Sequence, residues 1–332
     1  MDERKIVSII SPCYNGETYI ARFLESVLCQ TYDNIELFVI DDGSTDKTKE
    51  ILREYINRFK NRGYRLINIF QQHEGQASAI NKALQVFNGD YMTWMDSDDM
   101  LKPNSIQARV SFLDDHPEFQ FCICKADFVS EANINKVLYT KGRHKPEGED
   151  QFFMDLIMEK NVMFSGGGGC FVRRDTFFEA CPSKKIYPSI EGQNWQLMLP
   201  LAYKYKCGYV DDSLYTVVIR ENSHSLVQRD GYQWLQRYEN FKDLFSHVFV
   251  DMKLPNVSEL VQLVNIKYAH RELALILDYD NKIMAKKNYE MLKYYGELSG
   301  KDKLFYFFSK YRIFIPVYKI LRRGKCFLSN KI

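Results

Sequence analysis

The sequence predicts an α/β fold with a mostly parallel sheet flanked by helices, followed by a helical C-terminal extension. Short apolar runs alternate with amphipathic stretches over residues 1–105, a pattern typical of parallel strands joined by helices. The connections between these segments are short, as such sheets require. From about residue 230 the sequence becomes helix-like and rich in Tyr, Phe, Leu and Lys, which predicts the helical extension.

The individual elements follow in chain order. Four buried strands are expected where apolar runs end in polar loops, at residues 6–10, 35–40, 66–70 and 91–95. Helices are expected at 17–30, 44–59, 76–87 and 103–115, from apolar spacing and from capping or proline signals at their starts. Further along we expect strands at 119–129 and 214–220, a helix at 194–205 and a polar loop over 131–150.

Polar clusters follow all four strands of the first half, at the point where each strand ends. Ligands of parallel α/β sheets bind beyond the carboxyl ends of the strands. We therefore expect the four loops to form one binding site. In chain order the clusters are Pro12 to Glu17, Asp41-Asp42, His73 to Gln76 and Asp96 to Asp99.

Charge and cysteine content bear on where the protein is located and on which partners it binds. The net charge is only +2, but residues 301–332 carry nine Lys or Arg and one acid, so residues 1–300 have a net charge of −6. The eight cysteines include no CxxC pair, which favours reduced thiols and a cytoplasmic location. We expect no signal peptide, because residues 1–5 lead directly into a strand, and no charge-free run is long enough for a membrane helix. Nothing in the composition indicates a nucleic-acid partner.

Three carboxylates lie within four residues after the fourth strand, at Asp96, Asp98 and Asp99. Carboxylates packed this closely repel each other unless a cation neutralises them, and their oxygens suit Mg²⁺ or Mn²⁺. A metal held there could bind a diphosphate and stabilise the charge of a departing nucleoside diphosphate. The alternative interpretation is a solvated acidic turn before the helix that follows Pro103.

A second acidic pair, Asp41-Asp42, precedes Gly43-Ser44 at the end of the second strand. Gly and a capping side chain suffice for a strand-to-helix turn, so one of the two acids is not needed for it. A carboxylate at this edge of the sheet could accept the imide N–H of a pyrimidine base. The alternative is a purely structural turn.

Four segments occur together in an order and spacing that resemble the family 2 inverting glycosyltransferases of the GT-A fold. The resemblance implies that residues 1–105 bind a nucleotide sugar, residues 106–229 bind the acceptor and residues 230–332 form a helical region. It implies a UDP-sugar donor, Mn²⁺ or Mg²⁺, a glycan or lipid-linked saccharide acceptor, and a role in bacterial surface-glycan synthesis. The segments are Val7 to Gly16, Leu24 to Tyr32, Glu36 to Asp46 and Asn88 to Asp99.

The resemblance also implies roles for single residues. Asp42 would contact the pyrimidine ring, Asp98 would be the principal metal ligand, Asp96 would meet the ribose or the metal, and Asp99 would support the site. The residues that would enclose or border the nucleotide are Pro12, Tyr14, Glu17, Asp42, Gly75, Gln76, Asn81 and Asp96.

The acceptor side departs from the family pattern. Family members often carry Glu-Asp before an aromatic residue, with that Asp as general base, but here the residues are Gln193-Asn194. Because Asn194 cannot take a proton, Glu191 is the candidate base; a solvent-facing loop acid is the alternative. After the strand at 214–220, His224 resembles a histidine that reaches the metal, and Arg220 is a candidate phosphate contact. An inert surface histidine is the alternative for His224.

The basic tail over residues 303–328 interleaves aromatic and aliphatic residues with Lys and Arg. This pattern is typical of a segment that lies in the headgroup layer of an anionic membrane. The alternative is a helix that packs on the catalytic domain or on another subunit, so the oligomeric state stays open.

Three functions are compatible with these features. The first is a metal-dependent inverting hexosyltransferase. The second, motivated by Gln193-Asn194, is a nucleotide-sugar-binding module with weak or no transfer activity in a glycan-assembly complex. The third is a nucleotidyltransferase, which ranks last because the loop over residues 12–17 lacks a glycine-rich and basic triphosphate site.

Overall fold

The computed structural model describes residues 5–144, 150–161, 167–220 and 229–320. The chain folds as two compact units, Met1–Leu226 and Val227–Ile332. Each unit has its own cluster of buried apolar side chains.

The N-terminal unit alternates strands and helices. Its strands are β1 Val7–Cys13, β2 Ile35–Asp42, β3 Arg65–Gln71, β4 Tyr91–Trp94, β5 Met100–Leu101, β6 Phe121–Ser130, β7 Asn133–Lys141, β8 Cys170–Arg173 and β9 Cys207–Ile219. Its helices are α1 Ile20–Leu28, α2 Thr48–Arg62, α3 Gln76–Leu84, α4 Ser105–Asp115, α5 Phe152–Met158, α6 Arg174–Ala180 and α7 Gln193–Lys204.

These strands form one sheet in the order β3-β2-β1-β4-β8-β6-β9-β5, with β7 paired to β6. The first four strands in this order run parallel to one another. Antiparallel pairs join β8 to β4 and β6, β5 to β9, and β7 to β6, whereas β6 and β9 are parallel. The carboxyl ends of β1 to β4 therefore meet at one edge.

Burial on both faces of the sheet explains why β1 and β2 are mostly apolar. Every residue of both strands is buried, as expected for a parallel sheet with helices on its faces. Helix α1 buries Ile20, Phe23, Leu24 and Val27, which share one helical face. Helix α2 ends at Gly63, whose φ of +83° is the left-handed conformation that favours glycine after a helix.

The expectation of a polar loop over residues 131–150 was wrong, because Asn133–Lys141 forms β7. All nine of its residues are exposed, so the strand lacks the apolar alternation that marks a half-buried strand. Its pairing with β6 comes from the backbone ladder, with register shifts near Val129. Strand β9 also begins earlier than expected, at Cys207, because its polar first half continues the same pairing with β6.

At the opposite edge of the sheet, a buried carboxylate ties β1, β2 and β4 together. Glu36 Oε1 accepts hydrogen bonds from Ser8 Oγ at 2.5 Å and from the backbone N–H groups of Asn88 and Gly89 at 2.9 and 3.1 Å. Its Oε2 accepts from Arg65 at 2.7 Å. The side chain is buried, so these four donors satisfy a charge that water does not reach.

Glu36→Ala is expected to lower the free energy of unfolding by about 3 kcal/mol, because it removes the buried carboxylate that accepts hydrogen bonds from Ser8, Arg65 and the Asn88 backbone. Urea unfolding of both proteins measures the difference. Glu54→Ala on exposed α2 surface is the matched control and should change stability little. Equal midpoints for Glu36→Ala and the unaltered chain would contradict this account of the sheet edge.

The C-terminal unit is helical, as expected. Capping boxes at Asp230 and Ser299 begin the helices Gly231–Asp251 and Gly300–Lys310. A hydrogen bond of 2.9 Å between His270 Nδ1 and Asp302 joins two of the helices. No helix in the described ranges combines the length and apolarity that crossing a bilayer requires. The helices are α8 Gly231–Asp251, α9 Val257–Ala274, α10 Lys282–Tyr294 and α11 Gly300–Lys310.

Candidate active site

A cavity of about 830 Å³ lies at the carboxyl ends of β1 to β4. Residues that follow all four strands contribute to its wall, together with a turn before α7 and the residue after β9. Polar and charged side chains alternate with aromatic ones around it. The lining residues are Pro12, Cys13, Tyr14, Tyr19, Asp42, His73, Glu74, Gly75, Gln76, Ala77, Asp96, Ser97, Asp98, Pro188, Ser189, Ile190 and Arg220.

Two residues predicted to border the nucleotide, Glu17 and Asn81, are not among the described residues that line this cavity. Glu17 Oε2 accepts a hydrogen bond from the backbone of Lys47 at 3.0 Å, which connects the loop after β1 to the start of α2. Asn81 exchanges hydrogen bonds of 2.9 and 2.7 Å with the backbone of Ile186. Glu17 and Asn81 therefore connect chain segments that lie next to the residues lining the cavity.

Asp42 organises the loop after β3. Its carboxylate accepts hydrogen bonds from Gln71 Nε2 at 2.5 Å and from the backbone N–H groups of Glu74 and Gly75 at 2.9 Å each. His73 Nδ1 lies 2.9 Å from the same carboxylate. The His73 ring in turn stacks on Tyr14, with ring centroids 4.2 Å apart. One buried acid thus fixes an aromatic pair at the mouth of the cavity.

The acidic cluster after β4 brings three carboxylates together. Asp96, Asp98 and Asp99 each offer an oxygen within 4.8 Å of the other two. Burial and the charge of Asp98 raise the pKa of Asp96 to about 6, and burial with both neighbours raises the pKa of Asp99 well above its usual value. Gln76 donates to Asp96 at 2.9 Å, and the backbone of Val218 donates to Asp99 at 3.0 Å.

This donor set fits a hard divalent cation. All three groups are carboxylates, the ligand type that Mg²⁺ and Mn²⁺ prefer. The raised pKa values of Asp96 and Asp99 reflect burial beside like charges, which a bound cation would offset. Asp96 and Asp98 line the cavity, whereas Asp99 is buried behind them and bonded to β9. His224, predicted as a third metal ligand, lies outside the described residues.

Arg220 is the cation that faces this cluster in the described part of the chain. Its guanidinium pairs with the Asp98 carboxylate and lies 4.3 Å from the centre of the Tyr19 ring. Burial lowers the pKa of Arg220, but the attraction of Asp98 outweighs burial and the pKa is raised. Arg22 also donates to the Asp98 backbone carbonyl at 2.9 Å, so two arginines approach the same residue.

The acceptor-side residues have mainly structural contacts. Asn194 Oδ1 accepts a hydrogen bond from Trp94 Nε1 at 3.1 Å, and Gln193 Nε2 donates to Ser189 O at 3.0 Å. Glu191 is buried and shares a tight turn with Ser189, whose hydroxyl donates to Glu191 O at 2.6 Å. Among the described residues Glu191 does not line the cavity, so its role as a base stays a prediction.

The sequence predicted His73 only as part of the loop after β3, without a role of its own, and predicted no role for Tyr19. Both line the cavity. His73 stacks on Tyr14, and the Tyr19 ring lies under the Arg220 guanidinium. The sequence signal for His73 was its place in the loop after β3, but the stacking partner lies after a different strand. The signal for Tyr19 was hidden by its position one residue before the apolar face of α1.

The model of glycosyl transferase family 2 matches residues 8–180, more than half of the chain. The chain belongs to glycosyl transferase family 2. The predictions of this family and of the GT-A fold are confirmed. The first curated relatives are uncharacterized glycosyltransferases of Rickettsia typhi, Haemophilus influenzae and Rickettsia prowazekii, 36 to 37% identical over 108 to 139 residues. These matches cover 32 to 40% of this chain, which spans only 32 to 54% of the relatives' length.

Among named relatives, the minor teichoic acid biosynthesis protein GgaB of Bacillus subtilis is 25% identical over 282 residues, which cover 82% of this chain and 28% of GgaB. S. aureus TarS in complex with UDP-GlcNAc superposes with a TM-score of 0.63 at 16% identity, over 96% of this chain and 92% of that chain. The mannosyltransferase PcManGT from Pyrobaculum calidifontis, in complex with GDP-Man and Mn²⁺, superposes with a TM-score of 0.53 at 17% identity, over 96% of this chain and 88% of that chain. At these identities the two structures show a shared fold.

Proposed function

We propose that this family 2 protein transfers a sugar, with inversion, from a UDP-sugar to a hydroxyl of a glycan or lipid-linked acceptor, assisted by Mn²⁺ or Mg²⁺. One observation carries the proposal: Asp42, at the end of β2, and the pair Asp96 and Asp98, after β4, line the same cavity, and both strands run parallel to β1 on either side of it. A base-binding group and a cation-binding group in one cavity suit the two ends of a nucleoside diphosphate.

The base and ribose would occupy the part of the cavity near β1 to β3. Tyr14, stacked on His73, offers an aromatic surface for a base, and Pro12 adds an apolar wall. The Asp42 carboxylate already accepts hydrogen bonds from Gln71 and from the loop after β3. A uracil imide would therefore replace one of these donors. Gly75 and Gln76 border the same space.

Asp42→Asn is expected to weaken UDP binding about tenfold, because the backbone N–H groups of Glu74 and Gly75 donate to different carboxylate oxygens and the amide keeps only one of them. The loop would then lose its anchor beside the base. Isothermal titration with UDP measures the affinity, and Glu50→Gln on the exposed start of α2 is the control. Unchanged affinity of Asp42→Asn would exclude Asp42 from base binding.

The diphosphate would lie beside the acidic cluster. Asp96 and Asp98 would hold the cation, with His224 as a predicted third ligand, and the cation supplies charge stabilisation to the departing diphosphate. Arg220, released from Asp98 when the cation binds, would be free to contact a phosphate oxygen. Asp99 would keep the cluster in place through its bond to β9.

The acceptor would approach from the turn over residues 188–191, so residues 1–105 would bind the donor and residues 106–229 the acceptor. Its hydroxyl oxygen forms a bond to the anomeric carbon while the bond from that carbon to the diphosphate breaks. The hydroxyl proton goes to Glu191, which would have to reach the cavity when both substrates are bound.

The known relatives support the type of substrate. TarS binds UDP-GlcNAc, PcManGT binds GDP-Man and Mn²⁺, and GgaB takes its name from teichoic acid biosynthesis. We therefore propose a role in surface-glycan synthesis on the cytoplasmic side of the membrane. A thermal-shift screen of nucleotide sugars with and without Mn²⁺ tests the donor, because a ligand that binds the folded state raises the unfolding temperature.

A nucleotide-sugar-binding module without transfer is the second candidate function. The amides at Gln193 and Asn194, and a Glu191 that does not line the cavity, favour it. A donor that stabilises the chain but is neither hydrolysed nor transferred in the presence of Mn²⁺ would support this second function. No stabilisation by any nucleotide sugar would exclude both.

A further inference from the structure

The C-terminal unit carries an exposed apolar surface on α11 and the segment after it. We call this surface the outer face; its six members are exposed apolar side chains between residues 307 and 320. The Phe307 ring contacts the rings of Tyr311 and Phe314, with centroids 4.8 and 5.6 Å apart. Its most exposed members are Ile313 and Ile320, at 79 and 69%. The outer face consists of Phe307, Tyr311, Ile313, Phe314, Val317 and Ile320.

The same segment is anchored to the core by its other side. Phe305, Phe308 and Ile315 are buried in the apolar cluster of the C-terminal unit. The alternation of buried and exposed side chains therefore fixes which residues point outward. Single exposed apolar residues are common on proteins, but six of them within one short segment, with the Phe307 ring in contact with two others, indicate an interaction surface.

The charge of this segment is uniform. Residues 303–320 contain four Lys or Arg and no acid. In the described part of the chain Arg312 pairs with Asp280 at 3.4 Å and Lys319 with Asp278 at 2.6 Å, whereas Lys303 and Lys310 make no ion pair. Both lysines are exposed, and Lys310 lies 4.6 Å from the centre of the Tyr306 ring. Lysines flank the apolar side chains without any neutralising acid of the segment itself.

We propose that the outer face binds the surface of an anionic lipid membrane. Aromatic and aliphatic side chains enter the boundary between headgroups and acyl chains, while lysines beside them attract anionic headgroups. The absence of acids within residues 303–320 fits an anionic surface, and Lys303 and Lys310, which make no ion pair in the described structure, supply the attraction. The rest of the basic sequence predicted for this role, residues 321–328, lies outside the described residues.

The test is co-sedimentation of the full chain with vesicles of phosphatidylcholine alone and of phosphatidylcholine with one quarter phosphatidylglycerol. Binding is expected to the second kind only and should decrease with salt. Lys303→Gln with Lys310→Gln should lower partitioning about twentyfold, and Ile313→Gln with Ile320→Gln about tenfold or more. Both pairs are exposed, so folding is kept, which circular dichroism checks.

Matched controls come from α10 of the same unit. Lys286→Gln with Lys287→Gln removes two exposed charges, and Ile283→Gln removes an apolar side chain that is 84% exposed. These variants should bind vesicles like the unaltered chain. Equal binding to both kinds of vesicle, or equal losses in control and outer-face variants, would overturn the proposal.

A second copy of the chain is the competing occupant of the outer face. If the Ile313 and Ile320 variant converts an oligomer to a monomer in sedimentation velocity and the unaltered chain ignores anionic vesicles, the face is a subunit interface and the proposal fails. Neither measurement depends on sugar transfer, so the result stands apart from the proposed function.

Discussion

Asp98→Asn is expected to lower sugar transfer by about a thousandfold, with the fold retained. Asp98 lines the cavity within the acidic cluster and is the carboxylate that Arg220 neutralises. The amide keeps the size of the side chain but removes the charge that a divalent cation needs. Initial rates of transfer or donor hydrolysis at saturating Mn²⁺ measure the effect, and thermal unfolding checks the fold.

Asp211→Asn is the matched control for this experiment. It removes the same charge from β9, where the side chain is 94% exposed and away from the cavity. Its rate should equal that of the unaltered chain. Chelation of the unaltered chain should reproduce the loss, and added Mn²⁺ should reverse it. Full transfer by Asp98→Asn, or by the chelated protein, would refute a cation at this cluster without affecting the family assignment.

Glu191→Gln is expected to lower kcat by about a hundredfold or more, because glutamine cannot accept the proton of the attacking hydroxyl. The KM for the donor should change little, since Glu191 does not line the described cavity. Steady-state rates over a range of donor and acceptor concentrations separate the two constants. Glu118→Gln, on an exposed loop of the same unit, is the control.

Asn194→Asp provides the complementary variant. It places a carboxylate where family members often carry their base, beside the Trp94 N–H that now donates to Asn194 at 3.1 Å. In a Glu191→Gln background it should recover part of the lost transfer. If Glu191→Gln alone keeps the full kcat, Glu191 is not the base. If the Asn194→Asp variant transfers sugar and the unaltered chain does not, the unaltered chain is a binding module.

The parallel strands and their helices could be predicted because their signals are local. Strands β1 and β2 are mostly apolar, and α1 repeats apolar residues at helical spacing. Bounds shifted where the signal is weaker: α2 extends through the polar turn Lys60 to Arg62 until Gly63 ends it. Strand β7 was missed because its side chains are exposed and only its backbone pairing defines it.

The site could be predicted only as a set of loops. The resemblance placed Asp42 and Asp98 among the functional residues, and both line the cavity. It did not indicate that the Asp42 carboxylate accepts bonds from the loop over residues 71–75, or that Arg220 pairs with Asp98. Whether Glu191 reaches an acceptor depends on a tertiary arrangement that no spacing along the chain encodes.

By itself the sequence determined the family, the alternation of strands and helices, and the position of each polar loop directly after a strand. Those features depend on neighbours a few residues apart, through periodicity, capping and turn chemistry. Only the tertiary structure decided which distant side chains meet, such as Arg220 with Asp98 and Trp94 with Asn194, which are 122 and 100 positions apart. Such contacts follow from the order and register of the strands, which bring remote loops to one edge of the sheet.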